Sequence, residues 1–250
     1  MFTLLLFNLL LGVEMQKQYF DLALEKIAAI ETDEEGHIRE AARLVADSLM
    51  NRNWVYTFGS GHSQLLAMEV HGRAGGLYPI VHIPDPMNGR AEKVEGFGPI
   101  LIEGLNFKEG ETVFVISNSG RNPEPLEIAL AVKEAGAKLI AVTSLAHSKS
   151  VTSRHSSGKL LYQLADVVLD SHTPAGDASL AFENSPIRSG ALSTVLGAAL
   201  MDAVVVEAIE IMLKEGFVPP VLISSNLDGS DEHNQRIMDE YGQFPQPRFI

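Results

Sequence analysis

The 250-residue chain contains no cysteine. That removes disulfides, thiolate catalysis and every zinc or iron–sulfur site built on cysteine. Basic residues are scarce as well: 19 Lys and Arg stand against 32 Asp and Glu, a net charge of −13. Nucleic acid and anionic membranes both need a basic face, so neither is expected as a partner. The eight histidines form no H-x-H or H-E-x-x-H pair, and no metal or other cofactor is expected. There is no G-x-x-x-x-G-K-[ST] loop and no G-x-S-x-G elbow, which disfavours nucleotide hydrolysis and serine-hydrolase chemistry. A dinucleotide fingerprint is incomplete: Gly59 and Gly61 are present and Asp85 could serve a ribose, but Gln64 stands at the third glycine position. The apolar run Phe2 to Val13 is shorter than the ~20 residues a bilayer span needs. No Lys or Arg precedes it and no small-residue cleavage site follows. Residues 1–14 therefore read as an extra buried segment or as an extension ahead of a natural start at Met15. A cytoplasmic enzyme is the expectation.

What is present suits a globular core, with 46% hydrophobic and 20% charged residues. Helices are expected over 15–30 and 33–51, an N-terminal hairpin. In the second, Ile38, Ala42, Val45 and Leu49 recur at helical spacing. The period then changes. Short apolar strands are expected at 54–58, 80–83, 112–116, 139–142 and 167–169. Between them lie helices at 63–73 and 123–135, the latter closed by Gly136 as a C-cap. A long apolar helix should span about 190–214, and the tail after Gly216 reads as polar and turn-rich. Strands without alternation, separated by helices, indicate a parallel sheet covered on both faces. Residues 15–250 thus read as one α/β domain.

Ligands of such sheets bind at the carboxyl ends of the strands. Two of those loops, 59–63 and 117–122, carry mostly Gly, Ser and Asn. Small residues let main-chain N–H groups approach an anion, hydroxyls add donors, and the following helix dipole favours negative charge. Ser and Asn are also good helix N-caps, but two such loops after buried strands favour phosphate binding over capping alone.

The segments F-G-S-G-H-S at 58–63 and I-S-N-S-G-R-N at 116–122 resemble the signature loops of the sugar isomerase (SIS) domain, with a matching helix–strand order over about 33–214. R-A-G-G-L at 73–77 and D-E-H-N at 231–234 are similar to a bacterial subfamily labelled phosphosugar or phosphoheptose isomerase. The resemblance implies a three-layer α/β/α sandwich around a five-stranded parallel sheet that binds a phosphorylated sugar. It assigns Ser117, Ser119 and nearby backbone at Asn118 and Gly120 to the phosphate. Asn122 replaces the family's Thr, and can still cap the helix and offer an amide donor. Ser60 and Ser63 match positions that line the sugar or phosphate, and Gly59 and Gly61 of the same loop are candidate binding residues with them. The catalytic match is poorer: the phosphoheptose isomerase Glu falls on Arg73, and residues 190–214 lack the family's helix His.

Aldose–ketose isomerisation needs a base to move a proton between C1 and C2, and an acid for ring opening. Glu69 is the first candidate base, although it could simply pair with Arg73 four residues on. His62 is the candidate acid, and His233 could reach a site from the tail. Glu183 and Asp177 are further carboxylates after the last strand. Elimination from a phosphosugar, or sensing without turnover, are the alternatives. The apolar girth of 190–214, and the family's habit of completing sites between subunits, imply a homodimer or homotetramer.

Overall fold

The computed structural model describes residues 14–248, so the apolar run Phe2–Val13 lies outside the described residues. The first described elements are two helices, α1 (Met15–Asp33) and α2 (Glu35–Met50), separated by Glu34 alone. Then come β1 (Val55–Gly59), α3 (Ser63–Glu69), β2 (Ile80–Ile83), the short α4 (Gly98–Leu101), β3 (Thr112–Ile116) and α5 (Pro123–Glu134). The chain continues with β4 (Lys138–Thr143), the one-turn α6 (Leu145–Ser148) and β5 (Val167–Asp170). A ribbon of β6 (Ala178–Ala181) and β7 (Arg188–Ala191) precedes α7 (Ser193–Lys214) and α8 (Ser230–Tyr241).

The five main strands form one parallel sheet in the order β2-β1-β3-β4-β5. Every residue of β1 and β3 is buried, which is why neither shows polar alternation. Successive side chains go to opposite faces. Val55, Phe114, Ile116, Ile140 and Val142 join the core beneath α1, α2, α3 and α7. Tyr56, Phe58, Val113, Val115 and Leu139 join the one beneath α4 and α5. The result is the expected three-layer sandwich. Close packing of α7 depends on Gly197, where an added Cβ would fall 2.4 Å from Leu66 Cδ1 on α3. No helix among the described residues is long and apolar enough to cross a membrane.

Three expectations need correction. Helix α3 ends at Glu69 rather than Arg73, because the chain turns through Gly72 at φ +62°. Residues 188–191 belong to an antiparallel ribbon with 178–181, so α7 starts at Ser193. Asp177 sets that start: its carboxylate accepts from the main-chain N–H groups of Leu192 and Ser193, both at 2.9 Å, and from Ser193 Oγ at 2.6 Å. Asp177 is thus a helix cap. Finally, the tail contains α8. Its polar composition hid a structural role, for Asn234 accepts from Ile223 N at 3.0 Å and donates to Ile223 O at 2.9 Å. Beside it, Tyr241 and Phe244 pack with Trp54 and Tyr78, ring centroids 4.6–6.5 Å apart.

Candidate functional site

Strand β1 connects onward to β2 on one side, while β3 lies on its other side. The loops after β1 and β3 therefore diverge at a topological switch point, where parallel sheets open a crevice. A cleft of about 490 Å³ occupies it. Ser60, Gly61, His62 and Ser63 line it from the first loop, and Ser117, Asn118, Ser119 and Asn122 from the second. Gly59 and Gly120 stand behind these walls as shape-setting residues. A Cβ on Gly59 would come within 2.3 Å of Ser63 O, so only glycine lets α3 begin this close to β1. Gly120 turns the second loop at φ +57°.

The second loop is braced from β4. Thr143 Oγ1 donates to Ser117 O at 2.7 Å, and Ser144 N to Asn118 O at 3.1 Å. Ser117 Oγ accepts from Gly120 N at 3.2 Å, leaving its own O–H to point elsewhere. Among the described residues, nothing accepts from the main-chain N–H groups of Asn118, Ser119 or Arg121, and Ser119 Oγ has no partner. The start of α5 adds little, because Pro123 and Pro125 have no N–H and Glu124 N donates to Glu92 O. Two arginines compensate. Arg121 and Arg154 both line the cleft, and neither has a carboxylate partner among the described residues. Arg154 Nη1 donates to Asn122 Oδ1 at 2.9 Å. This corrects the expectation that Asn122 caps α5, since its side chain makes no cap bond. Its amide nitrogen donates no hydrogen bond among the described residues.

The first loop rests on acids instead. Asp85 is buried and accepts from Met87 N at 2.9 Å, Gly89 N at 2.6 Å and Gly61 N at 3.3 Å. It is consumed by these turns and has no freedom to hold a ribose. Ser60 Oγ lies 3.0 Å from Asp85 Oδ2 and 2.9 Å from Glu124 Oε2. Glu124 is fully buried, and burial together with the Asp85 charge pushes its carboxyl up to about 7.

The remaining catalytic candidates scatter. Glu69 ends α3 in an ion pair with Arg73 and does not line the cleft. His233 sits on α8, its Nε2 2.9 Å from Val221 O, on a different depression. Glu183 is exposed in the turn between β6 and β7. The cleft supplies others that sequence reasoning missed: Glu92 and Lys93 from the loop after β2, and His147 from α6. Burial, with Arg121 nearby, lowers the His147 pKa, so the ring is neutral at neutral pH. Only one signal pointed there. Residues 147–159 gather His147, Lys149, Arg154, His155 and Lys159, a basic stretch in an acidic chain.

The SIS domain profile matches residues 18–144. A UPF0309 protein of Listeria monocytogenes is 45% identical over 223 residues, covering 89% of this chain and 95% of the relative. One from Geobacillus thermodenitrificans is 39% identical over 236 residues, with 91% and 95% coverage. Among solved structures, a phosphoheptose isomerase from Francisella tularensis superposes with a TM-score of 0.53 at 16% identity, covering 78% of this chain and 98% of that one. The phosphoheptose isomerase of Neisseria gonorrhoeae gives 0.51 at 20% identity, with 76% and 98% coverage. At these identities the likeness is one of fold.

Proposed function

The chain belongs to the SIS domain family, and from that premise and the cleft we propose that it binds a phosphorylated sugar and isomerises it between aldose and ketose. One observation carries the binding half. In a chain of net charge −13, two guanidinium groups that have no acidic partner among the described residues flank a loop whose N–H and hydroxyl donors are unused among those residues. Such a cluster attracts an anion, and a phosphate dianion matches two arginines by charge and can accept from both guanidinium groups.

The chemical half rests on which groups share that cleft. Glu92 is the one carboxylate lining it among the described residues, and the His62 and His147 imidazoles line it as well. Glu92 is assigned as the base at the C1–C2 unit and His62 as the acid for ring opening, in place of Glu69. The test is proton exchange by NMR in deuterated water on any sugar phosphate that stabilises the protein. Glu92→Gln should lower exchange by about 10²–10⁴-fold while binding persists. Full exchange in that variant would move the assignment to His147. No exchange with any bound sugar phosphate in the wild type would leave a binding module without turnover.

The working unit is proposed to be a homodimer. Val195, Val206 and Leu213 are exposed on α7 at spacings of whole helical turns, with Leu65 and Met68 exposed on the neighbouring α3. A second copy of the same face supplies an apolar cover for this stripe. Light scattering should give a dimer that Val206→Glu reduces to a monomer; a monomeric wild type at micromolar concentration would refute the assembly.

A further inference from the structure

We propose that Ser60 reads a hydrogen-bond donor on the ligand, a hydroxyl or amino group, and rejects an anion, so that the cleft fixes which end of its ligand is phosphorylated. The inference rests on the phosphate reading of the 117–122 loop and sharpens it.

The argument is a count of hydrogens. Ser60 Oγ contacts carboxyl oxygens of both Asp85 and Glu124 within 3.0 Å, yet a hydroxyl has one hydrogen. Asp85 Oδ2 already accepts from Gly61 N and Gly89 N, and Oδ1 from Met87 N, so this carboxylate behaves as an acceptor throughout. Ser60 therefore donates to Asp85, and the second short contact needs a proton on Glu124, which donates to Ser60 Oγ. Glu124 Oε1 is buried without a partner, tolerable for the carbonyl of a neutral acid and costly for a carboxylate. The charged groups facing Glu124 favour the same state: Asp85 and Glu92 from the loop after β2, and Glu127 from its own helix, are all acidic.

In that chain of bonds, the only function Ser60 has left for the cleft is a lone pair. A phosphate dianion has no hydrogen to offer it, and the acids behind Ser60 repel negative charge. A sugar hydroxyl or an ammonium fits. The cleft is thus polar from end to end, cationic at Arg121 and Arg154 and acceptor-lined at Ser60.

Calorimetry with three probes tests this: inorganic phosphate, fructose 6-phosphate, and 6-phosphogluconate, which ends in a carboxylate. The wild type should bind fructose 6-phosphate about tenfold tighter than inorganic phosphate, and 6-phosphogluconate no tighter than inorganic phosphate. Ser60→Ala should erase the preference for the sugar phosphate and leave the inorganic phosphate affinity within about twofold. Equal losses for both ligands in Ser60→Ala would make Ser60 a phosphate donor and overturn the inference. So would tight binding of 6-phosphogluconate to the wild type, a result that needs no variant to fold. Phosphate binding without any sugar preference would overturn it too, while leaving the anion site intact. Binding of none of the three would remove the anion site and the proposed function together.

Discussion

Behind the loop at 60–63 stand two carboxyls, Asp85 and Glu124; behind the loop at 117–122 stand hydroxyls, Thr143 and Ser148. The first loop has its N–H of Gly61 taken up from the rear, whereas the second has its carbonyls of Ser117 and Asn118 taken up. A peptide satisfied at its oxygen turns its nitrogen outward. The contrast teaches that two loops with the same Gly/Ser composition acquire opposite polarity from what braces them. Composition predicts a turn; the brace decides what the turn attracts.

Between the two loops, the larger effect on binding should come from the cationic side. Arg121→Ala combined with Arg154→Ala should weaken inorganic phosphate binding by about a hundredfold, since hydrogen bonds from charged groups contribute roughly 1.5–3 kcal/mol each. Calorimetry at fixed ionic strength reads this directly, and an unchanged affinity would dissolve the contrast between the loops.

A smaller effect belongs to the acidic side. The Glu124 carboxyl is raised from its ordinary 4.5 to about 7, so the native state holds a proton that the unfolded chain releases first. Its contribution to stability is complete below about 4.5 and is lost as pH rises through about 7. Thermal unfolding should therefore show Tm falling between about pH 4.5 and 7, and Glu124→Gln should flatten that slope. A slope unchanged in the variant would place the titrating group elsewhere.

Glu69→Gln should do least. The Glu69 and Arg73 side chains are 40% and 43% exposed, and a solvent-screened pair of this kind contributes about 1 kcal/mol or less. Phosphate affinity and proton exchange should both stay near wild type; a loss of exchange comparable to that expected for Glu92→Gln would restore Glu69 as the base.

Much of the scaffold was legible because burial on both faces writes itself as unbroken apolar runs, as at Thr112–Ile116. Helix boundaries were legible where a terminator marked them, as at Gly136, whose φ of +75° closes α5. The ribbon at 178–191 was not, because its residues are largely exposed and carry no alternating apolar face. At the site, the two glycine-rich loops announced themselves by composition. Arg154 did not, since its partner Asn122 is 32 positions away and no local period links them. Glu124 was hidden for another reason. At the start of a helix an acid is the ordinary choice, and nothing in the sequence says that this one is buried against Asp85.

The aromatic cluster of the tail has an optical consequence. Trp54 is the chain's one tryptophan, and its indole meets Phe244 at 5.9 Å, Tyr78 at 6.4 Å and Tyr241 at 6.5 Å. Indole emission shifts to the red when such neighbours leave and water replaces them. The intrinsic fluorescence of the chain is therefore a built-in gauge of whether α8 and the segment after it are seated, read at one wavelength without any added label.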